Sequence, residues 1–152
     1  MTAGNPFARR AAKRPRRPRP APRPAPRPID DIALPAGPRV ICHFPPVACS
    51  PNHRDRWGRI AAAKAYRKAC WADARAARIK APAEGFIRLR LDFFPPDRRA
   101  RDDDNAIAAF KAGRDGIADA LGVDDRRFRI TTVWHDEPRA CVVATIIEGG
   151  DA

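Results

Sequence analysis

Seven of the fourteen residues from Pro15 to Pro28 are proline, in the run PRRPRPAPRPAPRP, and neither a helix nor a central strand forms across such a stretch. Each proline fixes its own φ and lacks an N–H, which leaves extended polyproline II as the conformation open to the chain. The stretch is also charged: residues 1–28 hold Arg9, Arg10, Lys13, Arg14, Arg16, Arg17, Arg19, Arg23 and Arg27 and no acidic residue. These features predict a disordered Arg/Pro-rich basic arm over 1–35, followed by one folded domain over 36–152. A chain of 152 residues has room for that single domain and not for two.

The arm dominates the charge. Of the net +12, only +3 belongs to the chain from Ile29 onward, where 21 basic residues face 18 acidic ones. A cationic arm on a nearly balanced domain suits a polyanion, because displacing counterions from phosphates supplies sequence-independent affinity. The alternative is a charged tail that only keeps itself solvated. No apolar run approaches the roughly 18 to 20 residues that would span a bilayer, and Arg9-Arg10 is followed by more Arg and Pro instead of the apolar stretch of an export signal. Cys42, Cys49, Cys70 and Cys141 show no C-x-x-C spacing. They are expected as reduced thiols packed in a cytoplasmic protein; a zinc site from Cys42, His43, Cys49 and His53 matches no common structural zinc spacing.

Within the domain, RVICHF from Arg39 reads as a short apolar strand stopped by Pro45-Pro46, and the Ala-, Lys- and Arg-rich stretch from Arg54 to Arg78 reads as a long helix with a basic outer face. GFIRLRLDFF alternates apolar Ile87, Leu89 and Leu91 with charged Arg88, Arg90 and Asp92, the period of a half-exposed strand. A helix is expected from Asp104 to Leu121 with Ile107, Phe110, Ile117 and Leu121 on one core-facing arc. FRITTVWHD and CVVATIIE, separated by EPRA, read as an antiparallel hairpin. The fold class expected is α/β (α+β): one mixed sheet of about four strands with two helices, in the order β-α-β-α-β-β.

The chemistry concentrates at Asp102-Asp103-Asp104-Asn105, between a strand and a helix and just after Arg98, Arg99 and Arg101. Three adjacent carboxylates repel one another, and a divalent cation offsets that cost. Asp102 and Asp104, on one side of an extended turn, can ligate one Mg²⁺ or Mn²⁺. A helix cap also draws Asp to such a position, but one Asp satisfies a cap. Asp104, Lys111 and Asp115 fall within about 40° of each other on the face opposite the apolar arc, and Lys111 with Asp115 also reads as an ordinary surface ion pair. Asp124 and Asp125, followed by Arg126 and Arg127, close the segment; as residues they fit either a site loop or a solvated turn.

The block from Phe94 to Phe128, with FPPDRRARDDDN, a lysine-bearing helix and DALGVDDRRF, resembles the RusA family of crossover junction endodeoxyribonucleases, the Holliday junction resolvases. HFPPVACSPNHRDRW resembles the opening strand, Pro-Pro and Asn-containing loop of that family, so the resemblance runs over about Arg39 to Glu148. It implies a homodimer that binds four-way DNA junctions and nicks two opposed strands in a Mg²⁺-dependent hydrolysis serving recombination and repair, in a phage or prophage setting and with no membrane or small-molecule cofactor. The metal-binding aspartates of the family fall on Asp102 and Asp104, and its later acidic ligand falls on Asp125 with Asp124 beside it. The position of the family's lysine, three residues after the Asn, holds Ala108, while Lys111 is the lysine of this helix, one turn further on. Asn105 is expected to fix the loop. Arg98, Arg99, Arg101, Arg126 and Arg127 flank the carboxylates where DNA phosphates would be drawn in. The competing reading is a non-catalytic RusA-like module that binds DNA and recruits or regulates recombination proteins. A third, an RNA-binding protein led by the arm, lacks an aromatic stacking signature in the sequence.

Overall fold

Four strands form one sheet, β1 (Arg39–His43), β2 (Ile87–Phe94), β3 (Phe128–Trp134) and β4 (Cys141–Ile146), in the spatial order β1-β4-β2-β3. The computed structural model describes Pro22 and residues 24–147. Helix α1 (Arg56–Ala77) follows β1, and α2 (Asp103–Ala109) and α3 (Lys111–Leu121) connect β2 to β3. The mixed α+β class and the strand–helix order are as the sequence patterns predict.

The expected terminal hairpin does not form. β3 pairs with β2 in parallel, from Ile87 opposite Phe128 to Phe93 opposite Trp134, while β4 lies between β1 and β2 and is antiparallel to both. Composition explains the exchange. β4 is Cys-Val-Val-Ala-Thr-Ile with all six residues buried, which suits a central strand covered on both faces, whereas β3 mixes exposed and half-buried residues and takes the edge. Pro95-Pro96 ends β2, so the connector from β3 can cross the end of that strand. It is tied there by His135 N–H donating to the Phe93 carbonyl at 3.0 Å and Ala140 N–H donating to that of Pro95 at 3.1 Å.

Leu89, Leu91 and Phe93 point towards the helices and meet Tyr66, Cys70, Phe110 and Ile117 in one core. Ile107 and Leu121 are half-buried against the same core, so the expected apolar arc faces inward. The helix bearing it is not continuous, however. At Phe110 ψ is −8°, and the amide is shared between the Ala106 and Ile107 carbonyls. The ring is buried edge-on to Tyr66, with centroids 6.2 Å apart, and to Phe93 at 5.7 Å. The break therefore coincides with a residue fully buried in the core.

Helix α3 approaches α1 closely because Gly116 faces it. A Cβ at that position would lie 2.2 Å from the carbonyl oxygen of Arg67, a backbone atom that cannot step aside without moving α1. Gly116→Ala is accordingly expected to destabilise the domain by about 1–3 kcal/mol, since the overpacking exceeds the roughly 1 kcal/mol gained in helix propensity. Urea denaturation followed by circular dichroism reads this as a lower midpoint at unchanged slope; an unchanged or raised midpoint contradicts the close contact.

The sheet face away from the helices is covered in part by the segment before β1. Ile29, with Ile32 and Leu34, packs on Phe94, Cys141 and Val143. Arg27 N–H donates to the Arg139 carbonyl at 2.9 Å, and the Arg139 guanidinium meets Asp31 at 2.6 Å. Residues 27–35, assigned to the basic arm on composition, thus pack against the domain: Ile29-Asp-Asp-Ile32 and Leu34 carry apolar side chains that the Arg/Pro repeat lacks. Residues 1–21 and Arg23 of the arm, and 148–152 at the other end, lie outside the described residues. No helix among the described residues is long and apolar enough to cross a membrane.

Candidate functional site

The Asp-Asp-Asp-Asn turn is the start of α2. Asp102 is its N-cap: Oδ1 accepts from the amides of Asp104 at 3.1 Å and Asn105 at 3.4 Å, and Oδ2 accepts from the Asn105 side-chain amide at 2.7 Å. Asn105 Oδ1 in turn accepts from Asn52 Nδ2 at 3.1 Å. One amide side chain thereby holds the cap and the loop after β1 together, the loop-fixing role expected of Asn105. Asp103 and Asp104 occupy the first turn, where the helix dipole favours negative charge. The Asp104 side chain is exposed and takes no hydrogen bond from a described residue.

The second cluster lies where α3 meets α1 and the 3₁₀ turn Asp125–Arg127. Lys111 Nζ sits 3.2 Å from Asp115, Arg67 of α1 chelates Asp119 at 2.6 and 2.8 Å, and Arg114 is 3.6 Å from Asp125. Asp124 caps the turn by accepting from the Arg126 amide at 2.9 Å. Lys111, Asp115, Asp119, Asp124 and Asp125 line one open depression of about 410 Å³. Lys111 and Asp115 also line a second, of about 290 Å³, with Ala108, Arg59 and Ile60. The two share a wall, and Lys111 stands between them. Ala108 and Lys111 thus face the same groove, although the chain bends at Phe110 between them. The hydrogen bonds of Arg67, first in effect, and its charge hold the Asp119 carboxyl below its ordinary range and raise the guanidinium in return.

Three carboxylates do not converge to a single ligand shell. Among the described residues, the group of three ligand atoms all within 4.8 Å of one another is Cys42, Cys70 and Asp73, not Asp102, Asp104 and Asp125. Its two thiols are soft and buried, and Asp73 is half-buried. A hydrogen bond with Cys70 and then burial raise the Cys42 thiol well above its usual value, and burial raises Asp73. Thiols so disposed stay protonated and suit packing better than a hard cation such as Mg²⁺. All four cysteines are buried thiols, with Cys141 pushed up to about 11 by burial, in keeping with the packed thiols expected.

The arginines divide. Arg98, Arg99 and Arg101 line a separate depression of about 620 Å³ with Trp134, Asp136 and Glu137. There Arg101 pairs with Asp97 at 2.7 Å, and that bond, followed by the Arg99 amide, lowers the Asp97 carboxyl to about 2. Because the pair is exposed, its effect on stability is slight. Arg126 lies in the 3₁₀ turn, and its carbonyl accepts from Arg129. Arg127 is engaged structurally, donating to the carbonyls of Gly85 at 2.8 Å and Pro82 at 2.7 Å.

Two features escaped sequence reasoning. Asp119 with Arg67 walls the groove; Asp119 follows Asp115 by four residues on α3, a spacing visible in the sequence, but its partner on α1 is not. Asp92, placed by alternation on a solvated face, is fully buried and binds Arg90 at 2.8 Å and His135 at 2.7 Å.

No protein-family model matches the chain. An uncharacterized protein of Xylella fastidiosa is 42% identical over 114 residues, a match that covers 68% of this chain and 71% of that protein.

Proposed function

We propose a function for this chain, which belongs to the same family as the Xylella fastidiosa protein, from the chemistry of its groove: a metal-dependent, structure-selective endodeoxyribonuclease that resolves four-way DNA junctions, as its resemblance to RusA implies. The observation that carries the reading is Lys111. It shares one depression with Ala108, the position of the family's lysine, and lines the adjoining one with Asp124 and Asp125, so the ammonium serves the same region from one helical turn further on.

Asp102 and Asp104 at the start of α2, and Asp124 and Asp125 after α3, are hard oxygen donors of the kind Mg²⁺ and Mn²⁺ take. Mg²⁺ is commonly held by one or two carboxylates, with waters and substrate phosphate completing its shell, so the donor set fits without these four carboxylates touching beforehand. Bound there, the ion would supply Lewis-acid polarisation of a phosphate and a more acidic water. Lys111 offsets negative charge developing on the phosphate, Asp115 positions its ammonium, and the Asp102–Asn105–Asn52 chain fixes the acidic turn against the loop after β1. Arg98, Arg99 and Arg101 would contact backbone phosphates, and the Arg/Pro arm would add affinity without sequence preference.

A homodimer acting on two opposed strands in the cytoplasm completes the proposal. The test is nicking of a labelled four-way junction by the full chain with Mg²⁺ and with EDTA. Nicking only with the metal supports the nuclease, while tight metal-independent binding without a cut favours the non-catalytic module.

A further inference from the structure

We propose that the outer face of α1 is a platform on which unpaired bases of a DNA strand stack, continuous with the groove described above. The sequence alone hides this, because Trp57, Ile60 and Trp71 look like core residues of a long helix. In the fold α1 buries only the narrow stripe Tyr66, Cys70 and Ala74, while Trp57 is 76% exposed, Ile60 48% and Trp71 42%. At 100° per residue, Trp57, Ile60, Lys64, Lys68, Trp71 and Arg75 fall on one arc of the helix surface, and the two indoles stand about 21 Å apart along its axis. Large aromatic rings left in water between cations are the makings of a strand-binding surface: the rings stack on bases of any sequence and the cations follow the phosphates.

Charge decides which occupant fits. Between Arg56 and Ala77 the helix carries six basic residues and one acidic residue, Asp73, which is half-buried on the other side. A second copy docked face to face would set Lys64, Lys68 and Arg75 against their own images, whereas a polyanion neutralises them. Position agrees. Ile60 lines the depression that holds Lys111, and Arg67, one turn from Lys64 and Trp71, reaches Asp119 in the adjoining depression. A strand lying along α1 would therefore run into the candidate groove. The proposal rests on the nucleic-acid reading above but not on cleavage, and it implies that the substrate presents unpaired bases, as at a branch point.

The test is binding of a fluorescently labelled oligo(dT) of about twenty residues to the full chain in EDTA, read by anisotropy, for the wild type, Trp57→Ala and Trp71→Ala. Each substitution is expected to weaken binding by about 5- to 150-fold, the range for loss of one stacked base, while leaving the circular dichroism spectrum unchanged because both rings are exposed. Affinity for a blunt duplex should fall by less than twofold. Wild-type binding that is absent, or retained within twofold in both variants, overturns the platform. So does dissociation of a dimer by Trp57→Ala with oligo(dT) affinity unchanged. A chain that binds oligo(dT) through these indoles yet nicks no junction keeps the platform and loses the nuclease; junction nicking that is indifferent to both substitutions, with oligo(dT) affinity also unchanged, does the reverse.

Discussion

Asp92→Ala is expected to cost about 3–5 kcal/mol of folding stability, as much as truncating a core aromatic residue. The carboxylate sits on the sheet interior with no exposed surface, accepts from Arg90 Nη2 at 2.8 Å and Nε at 3.0 Å, and is 2.7 Å from His135 Nε2. Removing it leaves two groups that were arranged around a negative charge facing an empty space. His135, stacked on Phe94 at 4.2 Å, has no easy way to turn to water. Arg90 keeps 30% of its side chain exposed and can reorient, which draws the expectation towards the lower figure. Chemical denaturation measures the loss directly. The double variant Asp92→Leu with Arg90→Leu should recover part of it, because replacing a buried ion pair by apolar groups avoids leaving a charge alone. A loss below about 1 kcal/mol for Asp92→Ala would mean that the triad is not a structural keystone of β2.

The second large effect concerns chemistry and not the fold. Asp104→Asn is expected to lower metal-dependent junction nicking by about 10²- to 10³-fold, equivalent to about 3–4 kcal/mol of transition-state stabilisation, with folding stability changed by no more than about 1 kcal/mol from the lost helix-dipole contact. Asp104 is the informative position because its carboxylate accepts no hydrogen bond from a described residue, so an isosteric amide disturbs nothing but charge. Asp102→Asn mixes two losses, since its oxygens cap α2 at 3.1 and 3.4 Å and hold Asn105 at 2.7 Å. A cap of this kind contributes about 1 kcal/mol. Single-turnover nicking assays beside melting curves separate the two variants. Wild-type rates in Asp104→Asn would remove this carboxylate from the reaction.

Local periodicity made most of the elements legible. Ile87, Leu89 and Leu91 alternate as half-buried strand residues do, and the helix with its basic outer face spans Arg56–Ala77 much as its composition suggests. Neighbourhood across the sheet was less legible. Two apolar runs joined by EPRA look like a hairpin, and nothing short-range says that the second inserts between β1 and β2; the signal was that CVVATI lacks any polar alternation and so asks for cover on both faces. Asp92 was misplaced for the same reason, because its partner His135 is 43 residues away. At the candidate site the cap, the acidic turn and Lys111 could be read from spacing, but the groove depends on how α3 bends at Phe110 and closes on α1 at Gly116. Arg127 shows the limit of charge counting: its position among acidic residues suggested phosphate, yet its Nε and Nη2 donate to two backbone carbonyls, a structural tie that charge alone does not foretell.

The most direct test of the central proposal labels each of the four strands of a synthetic mobile junction in turn and compares its cleavage with that of linear duplex of the same sequence, in Mg²⁺, by the full-length wild-type protein. Paired nicks in opposed strands of the junction, with the duplex left intact and all cutting abolished by EDTA, are the predicted result. Equal cutting of junction and duplex, or no cutting of either at protein concentrations that saturate the junction, would contradict a structure-selective resolvase built on Asp102, Asp104, Lys111 and Asp125.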